Sequence, residues 1–121
     1  MTDTDFVFFH TSSNFDLDDN IPKIMVKSIK DHYPFSSVHQ LTDIKSAKIE
    51  GVDQIHRFKG DKNLLMSFRI LCYSEYIISR PTIFLDTDMI ILKKFNIENL
   101  LGNNDVVLLK RSFNLNLMLN P

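Results

Sequence analysis

Two aspartates near the middle of the chain are the residues best suited to chemistry. Asp86 and Asp88 directly follow an apolar run, Thr82–Leu85, of the kind found in strands that are buried on both faces of an α/β sheet. If the backbone stays extended beyond that run, both carboxylates point the same way, with Cα atoms roughly 6.5 to 7 Å apart. Hard cations such as Mg²⁺ and Mn²⁺ prefer oxygen ligands and often share them with a substrate's phosphates. The spacing therefore predicts a metal site with Asp86 and Asp88 as ligands.

Ordinary turn formation is the alternative role for these aspartates. Aspartate is common where strands end, because its carboxylate accepts backbone hydrogen bonds in turns. Here, however, a second apolar run over residues 89–92 follows the acids, so solvation alone does not account for two charges in a hydrophobic neighbourhood. The context favours metal binding.

Composition and charge limit the classes of protein to which the chain can belong. Its 121 residues, 44% of them hydrophobic and 24% charged, predict one soluble globular domain over residues 1–121. A net charge of -1 disfavours nucleic acid and anionic membranes as partners. No apolar run approaches the roughly 20 residues of a bilayer span, and residues 1–5 do not resemble a signal peptide, so we expect a cytoplasmic protein that does not span a membrane. Cys72 is the single cysteine, which excludes an internal disulfide and indicates a packing role.

Apolar runs alternate with amphipathic segments along the chain. This order predicts an α/β fold, Rossmann-like, with a mostly parallel central sheet and flanking helices. The three glycines match neither a dinucleotide fingerprint nor a P-loop, so phosphates must be held in another way. The predicted strands cover residues 6–9, 38–41, 52–58, 82–85 and 105–109, and the predicted helices cover residues 20–33, 62–79 and 96–101.

The helix predicted over residues 62–79 is apolar around most of its circumference, which is typical of a buried helix. Arg69 and Glu75 are the charged residues set inside it, and each needs a partner or a ligand there. They are six residues apart, so they do not face each other. For Arg69, ligand binding and a structural ion pair are equal alternatives, whereas an ion pair is favoured for Glu75.

The polar loop after the first strand is a second candidate for ligand contact. His10 and Thr11 open this loop, and in open α/β sheets ligands bind beyond the carboxyl ends of the strands. A solvated turn is the alternative. The other histidines, His32, His39 and His56, lack metal-ligand spacing and are expected to be structural.

Several of these features together resemble nucleotide-sugar glycosyltransferases of the GT-A fold, closest to the glycogenin type and related DxD-containing sugar transferases. In that family an Arg-Leu-type pair precedes a Tyr-Leu-Asp-x-Asp strand; the counterparts here are Arg69 with Ile70, Pro81, and residues 84–88. The resemblance covers roughly residues 6–109. It implies that Asp86 and Asp88 coordinate the Mn²⁺ or Mg²⁺ that bridges the diphosphate of a nucleotide-sugar donor, most simply a UDP-sugar.

The resemblance also implies roles for neighbouring residues and a limit on activity. Arg69 would contact the donor, and Thr87, His10 and Thr11 would line the donor site. Members of the family continue for about as long again, so we expect this chain to be the N-terminal half, incomplete at its C-terminus and doubtful as a catalyst alone. The acceptor, whether glycan, lipid or protein, is not indicated.

Two other functions compete with this one. The first is a truncated remnant that binds a nucleotide or a partner without turnover. The second is a phosphatase of the haloacid dehalogenase type with Asp86 as nucleophile. That motif normally opens the domain and continues into Gly-Thr, whereas here the acids follow three earlier strands and precede Met89.

Overall fold

The computed structural model describes residues 4–12 and 19–107 of the chain. Within these ranges a four-stranded, all-parallel sheet is flanked by helices, so the predicted α/β class with a parallel central sheet is confirmed at that level. The elements are β1 (Asp5–Phe9), α1 (Asn20–His32), β2 (Ser37–Thr42), β3 (Gln54–Arg57), a 3-10 turn (Lys62–Leu64) that leads into α2 (Leu65–Glu75), β4 (Thr82–Leu85) and α3 (Ile97–Leu101).

Strand β1 lies in the middle of the sheet, whose order is β3-β2-β1-β4. Its residue Phe8 pairs with Gln40 of β2 on one side and with Leu85 of β4 on the other. Because consecutive side chains point to opposite faces, Phe6 and Phe8 lie on one face of the sheet, while Val7 lies on the other. All three are buried, as the continuous apolar run predicts for a central strand.

Helix α1 packs on the face that carries Phe6 and Phe8. Its buried side chains recur at helical spacing, from Met25 to Ile29, and the adjacent Tyr33 continues the same face. Ile21 and Ile24 belong to the same helix, but both are more than half exposed because they point away from the sheet. The helix begins at Asn20, as predicted, and its N-cap Asp19 makes no side-chain capping bond.

Helix α2 packs on the opposite face, where Phe68 and Cys72 contact Val7 and Leu41. Burial, and then the charge of Glu75, raise the pKa of the Cys72 thiol to about 11, which agrees with its predicted packing role.

The prediction that this helix is a buried one is wrong, because only Phe68 and Cys72 of it are buried. A helix laid on one sheet face buries only the stripe at i and i+4, here Phe68 and Cys72, and the helix ends at Glu75 rather than near residue 79. Glu75 is exposed and forms no ion pair within the described ranges. The exposed apolar residues of this helix and its flanks are Leu64, Leu65, Met66, Ile70, Leu71, Ile77 and Ile78.

Other predicted boundaries shift for local reasons. Strand β3 is shorter than the predicted 52–58, because Val52 N–H donates to the carbonyl of Ile49 in a turn at 3.2 Å. The predicted strand over 105–109 does not form at residues 105–107, and residues 108 and 109 lie outside the described part of the chain, as does the apolar segment 117–121. None of the described helices has the length and hydrophobicity needed to cross a membrane.

One-sided burial of α2 is open to a direct test. Phe68→Ala should lower the free energy of unfolding by about 3 to 5 kcal/mol, because it removes a buried ring and leaves a cavity against Val7 and Leu41. Met66→Ala on the same helix is the matched control, since Met66 is 67% exposed, and its effect should stay within about 0.5 kcal/mol. Urea unfolding followed by circular dichroism measures both, and similar losses for the two variants would contradict the one-sided packing.

Candidate functional site

A cleft of about 450 Å³ opens at the carboxyl ends of β1 and β4. The two strands are parallel neighbours, so the residues that follow them, His10 and Asp86, meet at the same edge of the sheet. All six site residues predicted from the sequence line this cleft, together with two apolar residues that were not predicted. The lining residues are Phe9, His10, Thr11, Ile21, Arg69, Asp86, Thr87 and Asp88.

The two aspartates lie in a turn rather than on an extended strand. Strand β4 ends at Leu85, and Met89 N–H donates to the carbonyl of Asp86 at 3.2 Å. The strand alternation assumed from the sequence therefore does not set the direction of the two carboxylates. They share the cleft because the turn wraps around its edge, with Asp86 half-buried and Asp88 exposed.

Arg69 reaches across from α2 and forms an ion pair with Asp86. Its Nε donates to the hydroxyl of Tyr73 at 3.2 Å, and its guanidinium lies 5.3 Å from the centre of that ring. Partial burial by itself lowers the pKa of Arg69, but the hydrogen bonds to Asp86 and Tyr73 outweigh burial and hold that pKa above its ordinary value. Of the two alternatives raised for Arg69, the ion pair with another element is present, whereas ligand binding stays a prediction for a residue that also lines the cleft.

The loop after β1 is tied to the start of α1 by Asp19. His10 Nε2 lies 2.8 Å from the Asp19 carboxylate, and Ser12 Oγ donates to the same group at 3.2 Å. Because an ionised carboxylate only accepts hydrogen bonds, Nε2 of His10 carries the proton. Ser12 N–H donates to Ser46 Oγ at 2.9 Å, which anchors the loop to the segment after β2. His10 and Thr11 therefore lie on a wall of the cleft that these hydrogen bonds hold in place.

Sequence reasoning missed Asp19 and Ser46 as supports of the site. Asp19 carried a usable signal, because a polar residue just before an amphipathic helix marks its N-cap. Ser46 carried none, since its contact with Ser12 depends on how the loops after two strands pack together.

The chemistry of the cleft suits a hard cation. Within residues 4–12 and 19–107, no group of three or more His, Cys, Asp or Glu side chains is arranged to hold a metal ion. A cation here would take its protein ligands from Asp86 and Asp88 and complete its shell with water and phosphate oxygens, as Mg²⁺ commonly does. It would also share Asp86 with Arg69, which already forms an ion pair with that carboxylate.

Comparison with known proteins gave no match, whether to protein-family models, to curated proteins or to solved structures. The functional assignment therefore depends on the geometry of the cleft and on the resemblance in the motif.

Removal of the arginine should leave the fold in place. Arg69→Met should change the free energy of unfolding by less than about 1 kcal/mol, because both members of the ion pair are partly solvated, with side chains 32% and 46% exposed. Urea unfolding of Arg69→Met, Asp86→Asn and the double variant gives the coupling between the two groups. A coupling of several kcal/mol would show that the pair is a structural core element and not a site group.

Proposed function

We propose that this chain is the donor-binding unit of a glycosyltransferase. In this proposal, Asp86 and Asp88 hold Mn²⁺ or Mg²⁺, and the cation and Arg69 together bind the diphosphate of a nucleotide-sugar. One observation supports this most strongly: two carboxylates and a guanidinium line a single cleft at the carboxyl edge of a parallel sheet.

Charge explains why binding of a diphosphate should need the cation. Asp86 and Asp88 contribute two negative charges and Arg69 one positive charge, so the lining of the cleft carries -1 if His10 is neutral. A diphosphate would be repelled by such a surface. A divalent cation changes the sum to +1 and makes the same cleft attractive to phosphate oxygens.

The guanidinium of Arg69 has enough N–H donors to bind the carboxylate of Asp86 and a phosphate at the same time. Arg69 uses Nε for Tyr73 and Nη2 for Asp86, which leaves the donors on Nη1 for a ligand. A bound cation would supply Lewis-acid stabilisation of the charge that develops on a departing nucleoside diphosphate. Arg69, fixed in place before the ligand arrives, would add to that stabilisation without reorganising.

The remaining walls suit the rest of a nucleotide-sugar. Thr11 and Thr87 present hydroxyl groups, and Phe9 and Ile21 present apolar surface against which a base can pack. The cleft volume of about 450 Å³ falls within the roughly 300 to 1,000 Å³ typical of small-ligand sites. Polar groups that fix orientation and apolar walls that exclude water are the usual composition of such sites.

The aspartates should be required for metal-dependent donor binding. Asp86→Asn and Asp88→Asn should each weaken the binding of a UDP-sugar in the presence of Mn²⁺ by at least about tenfold, because loss of a direct ligand costs no less than loss of an outer-shell group. Isothermal titration calorimetry, with and without EDTA, measures this effect. Asp31→Asn is the matched control, since it removes an exposed carboxylate of α1 that contacts Lys27 and lies outside the cleft.

Two results would contradict the proposal. One is binding of the UDP-sugar by both aspartate variants with the affinity of the parent, and the other is binding that EDTA does not change. A sugar-transfer and hydrolysis assay on the parent then separates a catalyst from a protein that binds the donor without turnover.

A further inference from the structure

Two histidines form a hydrogen-bonded pair on the face of the sheet that α2 covers. The rings of His39, on β2, and His56, on β3, meet edge to edge, with ring centres 5.2 Å apart and planes 20° from parallel. Nδ1 of His39 lies 2.9 Å from Nε2 of His56. Tyr76, the residue after α2, packs its ring edge-on against both, at 5.9 and 5.3 Å. His39 is only 5% exposed, and His56 is half-buried.

Charged groups surround this pair on several elements. The buried carboxylate of Asp5, on β1, lies 3.4 Å from Nε2 of His39 and 2.8 Å from Nε of Arg80. Asp53, just before β3, interacts electrostatically with His39 and pairs with Lys30 of α1. Arg80 and Tyr76 are the two ends of the segment that connects α2 to β4. The pair therefore lies between the carboxylate of Asp5 and the segment that connects α2 to β4.

The contact between the two rings limits how many protons they can carry. A nitrogen–nitrogen hydrogen bond needs one ring to donate and the other to accept. Either ring can be the donor, because a neutral imidazole has one nitrogen with hydrogen and one without. One added proton preserves the bond, since the charged ring can donate to the neutral one. A second proton puts hydrogen on both facing nitrogens, which abolishes the bond and places two cations in contact. The folded pair therefore binds one proton fewer than two free histidines.

We propose that the His39–His56 pair is an acid-sensitive latch, which holds the connection between α2 and β4 against the sheet and releases it when both rings are charged. Burial, followed by the neighbouring charge of His39, lowers the pKa of His56, and Asp5 opposes that shift only in part. A histidine whose pKa is lower in the folded than in the unfolded state loses its stabilisation as pH falls below about 6.5. Release would free Tyr76 and so loosen α2, which carries Arg69.

Unfolding at different pH values tests the latch. From about pH 7.5 to about pH 5, the unfolding equilibrium constant of the parent should rise relative to that of His56→Gln, approaching about tenfold per pH unit for the one excluded proton. Glutamine can place either its amide N–H or its carbonyl oxygen near the position of Nε2, so it can pair with Nδ1 of His39 whether or not that nitrogen carries a proton, and it does not itself titrate. The control is His32→Gln, whose ring contacts the carbonyls of Ser28 and Leu92 outside the cluster, and this variant should keep the acid loss.

A nuclear magnetic resonance titration of the unmodified chain makes the test independent of how the variants fold. The ring signals of His56 should titrate at lower pH than a free histidine, and the nuclear Overhauser contacts between Tyr76 and both histidine rings should disappear over the same range. Titration of His56 at the pH of a free histidine, or Tyr76 contacts that persist at pH 5, would overturn the proposal. Parallel pH profiles of the parent and His56→Gln would overturn it too.

Discussion

The parallel hydrogen-bonded ladder of β1 is the interaction on which the rest of the structure depends. This strand pairs with β2 on one side and β4 on the other. Its register therefore sets where both neighbouring strands end along the sheet. Phe8 opposite Leu85 brings the ends of two strands level, although most of the chain separates them in sequence. The loop that begins at His10 and the turn that begins at Asp86 therefore face each other. A slip of one residue would move Phe6 and Phe8 to the face covered by α2 and Val7 to the face covered by α1, and the packing on both faces opposes that exchange.

The two faces of the sheet differ in how they are covered. On the α1 face, Tyr33 accepts from Phe95 N–H and donates to its carbonyl, which fastens the segment after β4 onto an apolar core. On the α2 face a small apolar cluster around Phe68 lies beside the polar group of His39, His56 and Asp5. The first is held by apolar packing, whereas the second is held by hydrogen bonds and ion pairs. The same helix thus has one end at the cleft and the other beside an ionisable cluster.

The electrostatics of the cleft follow from an arginine held next to a carboxylate. Two aspartates in one turn repel each other, and Arg69 offsets that repulsion in the free chain through its contact with Asp86. The same guanidinium is a ready donor for a phosphate, so a ligand that brings both a cation and a diphosphate would satisfy every charge in the cleft. This complementarity, together with the motif around Asp86, leads to the donor-binding proposal.

Local properties of the sequence determined the strands β1 and β4, the parallel α/β class and the polar residues that follow those strands, because apolar runs and the polar residues that end them are visible without the fold. The resemblance in the motif added Arg69 and Thr87, which brings the total to six of the eight residues that line the cleft. Only the tertiary structure decided the turn at Asp86, the ion pair of Arg69, the exposed side of α2 and the contact of His39 with His56. Each of these depends on which segment, distant in sequence, packs against the residue. That is set by strand register and by how layers pack, and neither is encoded in the composition of a single segment.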